Sequence, residues 1–87
     1  MVKNKTIINN CIICNNKALI YTGGGIHIDG ELILNKAKIY KNWCKQYGGG
    51  INYQSAKSFV YNENEIDNMV YNNKADKNGN NIYPLNK

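Results

Sequence analysis

Gly23-Gly24-Gly25-Ile26 returns unchanged as Gly48-Gly49-Gly50-Ile51, and in altered form as Gly79-Asn80-Asn81-Ile82. The three runs begin 25 and then 31 residues apart. A glycine run that recurs before the same aliphatic residue marks a repeated backbone corner rather than a single phosphate loop. Neither intact run leads into Lys-Ser/Thr or a helix, as a phosphate loop would require. Glycine supplies positive φ at a tight corner, and asparagine is the next best residue there. This reading places Gly24 and Gly49 at positive φ, and takes Gly23, Gly24, Gly25, Gly48, Gly49, Gly50 and Gly79 as structural corners.

The repeat extends upstream of the glycines. Ile13-x-x-Asn16-x-Ala18, Ile39-x-x-Asn42-x-Cys44 and Val70-x-x-Asn73-x-Ala75 share a β-branched residue, an asparagine three positions on and a small residue two further. Earlier still, Thr6-Ile7-Ile8-Asn9 aligns with Leu32-Ile33-Leu34-Asn35 and Phe59-Val60-Tyr61-Asn62, and Cys11 aligns with Ala37. The third unit is longer. Its extra residues, around Glu63 to Asp67, are expected in an outward loop, with Ile66 as an alternative to Val70 in the alignment.

Each unit holds apolar runs of three or four residues bounded by Gly, Asn or Asp, a strand pattern without helical spacing. Self-similarity at 20 to 50 residues is the mark of a solenoid. Short strands and Gly/Asn corners select the β kind. The expected fold is all-β, a short right-handed parallel β-helix of about three rungs, with residues 1–87 one repeat segment of a longer solenoid. Asn16, Asn42 and Asn73 are expected to hydrogen-bond along the axis as a ladder. Ala18, Cys44 and Ala75 form a small inward stack, and Ile26, Ile51 and Ile82 an aliphatic one. Each rung buries its faces against its neighbours. No cap is visible at either end, so further rungs or end-to-end self-association are the expected partners.

Composition narrows the functional classes. All 11 cationic residues are lysine, spread along the chain, and the net charge is +5. Nucleic-acid binders cluster positive charge and favour arginine, so no nucleic-acid partner is expected. No apolar run approaches the roughly 20 residues of a membrane span, and no signal peptide is visible. Three cysteines exclude a complete set of intrachain disulfides.

Cys11-Ile12-Ile13-Cys14 with His27 and Cys44 has the composition of a Cys3His zinc site. A strand, however, puts thiols three apart on opposite faces, and Cys11 reads as a small buried hydrophobe. No metal or cofactor is expected. Asp29, Glu31, Glu63, Glu65, Asp67 and Asp76 show no paired spacing for glycoside hydrolysis. The single histidine, His27, has no positioned nucleophile beside it. The candidate ligand face comprises His27, Asn52, Tyr40 and Tyr71. Tyr21, Tyr47 and Trp43 add exterior aromatics that either stack on sugar rings or shield the corners.

The pattern apolar-x-Asn-Asn-x-Ala…Gly-Gly-Gly-Ile resembles the right-handed parallel β-helix repeats of the pectin-lyase-like superfamily. It is most similar to polymorphic outer membrane protein and adhesin-type repeats, over roughly residues 6 to 84. The resemblance implies a non-catalytic structural or adhesive module at the cell surface, binding carbohydrate or a host surface. The alternative it implies is a remnant or subunit of a carbohydrate-active β-helix enzyme. Such scaffolds host both.

Overall fold

The computed structural model describes residues 4–19 and 23–84. Tyr21, one of the exterior aromatics named above, lies outside them. The described chain is all-β apart from one helical turn. In order it runs β1 (Lys5–Asn9), β2 (Ile12–Cys14), β3 (Lys17–Ala18), β4 (Ile26–His27), β5 (Glu31–Asn35), β6 (Lys38–Tyr40), β7 (Trp43–Cys44), β8 (Ile51–Asn52), β9 (Ser58–Val60), α1 (Ile66–Met69), β10 (Val70–Tyr71), β11 (Lys74–Ala75) and β12 (Ile82–Tyr83). The strands form four parallel three-stranded sheets, ordered β1-β5-β9, β10-β6-β2, β11-β7-β3 and β12-β8-β4. Every sheet takes one strand from each of three successive segments, residues 5–27, 31–52 and 58–83, with the middle segment central. The arrangement is compatible with a small β-solenoid. The three segments are called the first, middle and last tiers below.

The register is that of the aligned repeat. Ile13 and Val70 both pair with Ile39, Ala18 and Ala75 with Cys44, and Ile26 and Ile82 with Ile51. Thr6 and Phe59 flank Leu32. Parallel pairing in register places like residues over like. Alternation along β5 therefore sends Leu32 and Leu34 inward and leaves Glu31 and Asn35 exposed. Ile26, Ile28, Leu32, Leu34, Ala37, Ile39, Ile51, Val70 and Ile82 fill the centre.

The corners divide the glycines into two kinds. Only the first of each run has positive φ: Gly23 at 71°, Gly48 at 74° and Gly79 at 67°. Gly24 and Gly49 do not, which corrects the expectation for them. They are glycine because neighbouring backbone touches them. A Cβ on Gly24 would meet the carbonyl oxygens of Gly49 at 2.5 Å and Trp43 at 2.6 Å. On Gly49 it would meet those of Lys74 at 2.3 Å and Asn80 at 2.5 Å. The other corners turn on non-glycine residues in the left-handed region: Asn10, Asn15, Lys36, Lys41 and Asn72.

Two further expectations are corrected. The added residues of the last tier do not all loop outward. Ile66–Met69 forms α1, with Ile66 and Met69 buried in the core, so the insertion supplies apolar cover. The helix has no side-chain cap, and its place is set by those two side chains, three apart on one face. Cys11 is exposed, with its Sγ donating to the Asn9 carbonyl at 3.3 Å. Its repeat counterpart Ala37 lies in the middle tier, between two others, and is buried. Cys11 has a tier on one side only.

Candidate functional site

The asparagine ladder is the most ordered polar feature. Asn16 donates its backbone N–H and its Nδ2 to Asn42 Oδ1, both at 3.0 Å. Asn42 does the same to Asn73 Oδ1, at 2.9 and 3.0 Å. Spare Nδ2 hydrogens reach back to backbone carbonyls, from Asn42 to Ile13 and from Asn73 to Ile39 and Tyr71. Asn42 and Asn73 are buried, and among the described residues no buried side-chain polar atom lacks a partner. At Asn42 and Asn73 the ladder is therefore a satisfied structural network, chemically inert and inaccessible to a ligand, whereas Asn16 is exposed.

The last tier closes the ladder from within. Asn81 Oδ1 accepts the Asn73 backbone N–H at 3.0 Å and its Nδ2 at 3.3 Å. Asn80 Oδ1 accepts the Ala75 N–H at 3.1 Å. Asn80 and Asn81 stand where the earlier tiers have the second and third glycines. The ladder donors are thus satisfied at this end, although β9, β10, β11 and β12 remain edge strands. The third glycine run is altered because its side chains form a cap.

The expected ligand face divides. Tyr40 and Tyr71 pair in the sheet β10-β6-β2, with ring centroids 5.4 Å apart and planes within 7°. His27 pairs with Asn52 in a different sheet, β12-β8-β4. Asn52 is only 1% exposed, so it is not part of an accessible face. Its Oδ1 accepts the Gln54 N–H at 2.9 Å and its Nδ2 donates to the Tyr47 carbonyl, which turns it into the corner. His27 Nε2 lies 4.0 Å from Asp29 Oδ1.

Tyr71 also borders a surface cleft of about 480 Å³ together with Lys38 of β6 and Asp67 and Asn68 of α1. The insertion that carries α1 thus places an acid and an amide beside the tyrosine pair. Lys41 lies over the Tyr40 ring, 6.0 Å from its centroid. The hydrogen bond with Cys14 holds the Tyr40 phenol above its usual range, helped by electrostatic repulsion from the Cys14 sulfur, by burial and by Tyr71. Tyr47 packs against Tyr83 at 4.6 Å. Trp43 Nε1 donates to Asp76 at 2.8 Å. Tyr53, Phe59 and Tyr61 pack in a chain against the core. These last aromatics shield the body of the fold.

The three thiols are scattered by exposure: Cys11 exposed, Cys14 half-buried, Cys44 buried. Burial pushes the Cys44 thiol up. Among the described residues no three His, Cys, Asp or Glu side chains gather as metal ligands, and no helix is long and apolar enough to cross a membrane. No family model, curated protein or solved structure matches the chain.

Proposed function

We propose that the chain is a non-catalytic structural or adhesive module of a cell surface, built as a right-handed β-helix of about three rungs like the adhesin-type repeats it resembles. Its ligand is a carbohydrate, held at the cleft beside Tyr71. The observation that carries this reading is the Tyr40–Tyr71 stack next to Lys38, Asp67 and Asn68. Aromatic faces pack against the apolar faces of sugar rings. A carboxylate, an amide and an ammonium group within one cleft can accept from and donate to sugar hydroxyls. The net charge of +5 favours a polysaccharide bearing carboxylates.

The test is titration with polygalacturonate and with a neutral polysaccharide, followed by tyrosine NMR signals. Saturable shifts at Tyr71, abolished by Tyr71→Ala without loss of the fold, support the reading. Binding indifferent to that substitution, or none to either polymer, contradicts it. Unsaturated sugar product in the same mixture would favour the enzyme alternative.

A further inference from the structure

The two ends of the tier stack are chemically unlike. The ladder has a direction: each asparagine gives its N–H and Nδ2 to the Oδ1 of the next. At the last tier those donors are taken by Asn81, which belongs to the same tier as Asn73. At the first tier Asn16 is exposed, and among the described residues no group donates to its Oδ1. The apolar interior is similarly unequal. Ile8 and Ile13 of the first tier are half-buried, whereas their register partners Leu34 and Ile39 are buried. Strands β1, β2, β3 and β4 each have a neighbour on one side only, as do β9, β10, β11 and β12, so the ladder and the interior, not the strand edges, distinguish the two ends.

We propose that the edge formed by β1, β2, β3 and β4 is a docking surface for one further parallel rung of the same repeat type, supplied by another polypeptide segment. That segment carries the pattern β-branched-x-x-Asn-x-small. Its asparagine donates its backbone N–H and Nδ2 to Asn16 Oδ1, its aliphatic residue covers Ile13, and its backbone completes the open edges by strand addition. A second copy of this chain is the wrong partner. Its Asn73 donors are already held by Asn81, so it cannot add in parallel through its last tier. Two copies meeting through their first tiers would set acceptor against acceptor at Asn16.

The cap explains why the altered glycine run is tolerated. A Cβ on Gly50 would meet the Asn81 carbonyl at 2.6 Å and Asn73 Nδ2 at 2.7 Å. At 80 and 81, by contrast, the side chains turn to accept from Ala75 and Asn73. The ladder therefore ends differently on the two sides: its last donors are held by Asn81, while its first acceptor, on Asn16, is exposed.

The experiment uses the full chain and a fluorescent peptide copying residues 37–54, which holds one complete ladder motif. Anisotropy should show saturable one-to-one binding, at least tenfold weaker when the peptide carries Asn42→Ala or the chain carries Asn16→Ala. Amide exchange should slow within β2 to β4, the strands whose counterparts the peptide carries. Absence of saturation, indifference to both substitutions, or protection confined to β9 to β12 overturns the proposal. Sedimentation provides an independent arm. The wild-type chain should remain monomeric, while Asn80→Gly/Asn81→Gly, with its donors released, should self-associate in a manner reversed by Asn16→Ala. A folded double variant that stays monomeric, or a wild-type chain that polymerises equally, also overturns it.

Discussion

Asn81 Oδ1 takes the backbone N–H of Asn73 at 3.0 Å, in the same way that Asn73 Oδ1 takes that of Asn42 at 2.9 Å. One side chain thus reproduces, from within the last tier, what a following tier would supply. The energetic weight of the ladder follows from its burial, and position along it should set the cost of losing a member.

Asn42→Ala should be the most damaging asparagine substitution. It deprives Asn16 of its acceptor and removes the Nδ2 donor to the Ile13 carbonyl. A buried unsatisfied group costs about 1–3 kcal/mol, so a loss of about 3 kcal/mol is expected. Asn16→Ala, at an exposed position, should cost about 1 kcal/mol. Urea unfolding of the two variants checks the order, and equal losses would contradict it.

Gly49→Ala tests the second class of glycine. The added methyl group meets two carbonyl oxygens inside van der Waals contact, and overpacking of that kind costs about 3 kcal/mol. Gly48→Ala adds the same group at a φ of 74°, where strain arises from the residue's own backbone. Both should lower the melting temperature. Asn80→Ala should lower it less, because it loses one hydrogen bond and adds no atom to the corner.

Lys36 and Lys41 hold φ of 44° and 54°, a region that costs a typical residue roughly 1–2 kcal/mol. Lys36→Gly and Lys41→Asn should raise stability by about 0.5 kcal/mol each, after allowance for glycine's greater entropy in the unfolded chain. Thermal melts of the two variants measure this, and a drop at both positions would show that the lysines contribute more than their backbone costs.

Burial raises the thiol of Cys44 above its ordinary value of 9.0, and burial also raises the phenol of Tyr53 above 10.0. A raised folded value means that the neutral form is favoured in the native state. The stabilisation is fully present below the unfolded value and is lost as pH rises through the folded one. Stability should therefore hold through neutral pH and begin to fall above about 9. Iodoacetamide should modify exposed Cys11 well before Cys44. Equal rates for the two thiols would contradict the burial assigned to Cys44.

Much of the architecture was legible because the repeat is written in residues with strong backbone demands. Glycine before isoleucine, and asparagine three residues after a β-branched position, align the tiers without reference to packing. What remained hidden depends on neighbours. Nothing in a lysine advertises the left-handed region, so the corners at Lys36 and Lys41 were silent. Alternation sends Asn52 outward, but its side chain folds back to the Tyr47 carbonyl and the Gln54 N–H. Asn80 and Asn81 read as decay of a glycine run until their side chains are seen to accept from Ala75 and Asn73. The α1 insertion reads as acidic and solvated because its two buried residues, Ile66 and Met69, are separated by polar ones. The ligand face was the least legible part, since Asp67 and Asn68 meet Tyr71 only through that insertion.

The central claim is the parallel, in-register stacking of three tiers about the asparagine ladder. Solution NMR of the full chain, with selectively labelled isoleucine and asparagine, tests it directly. The structure predicts contacts from Ile51 to both Ile26 and Ile82, and from Ile39 to Ile13, together with slowed exchange of the Asn42 side-chain amide. Antiparallel contacts between these segments, or an Asn42 amide exchanging as freely as that of exposed Asn64, would contradict it.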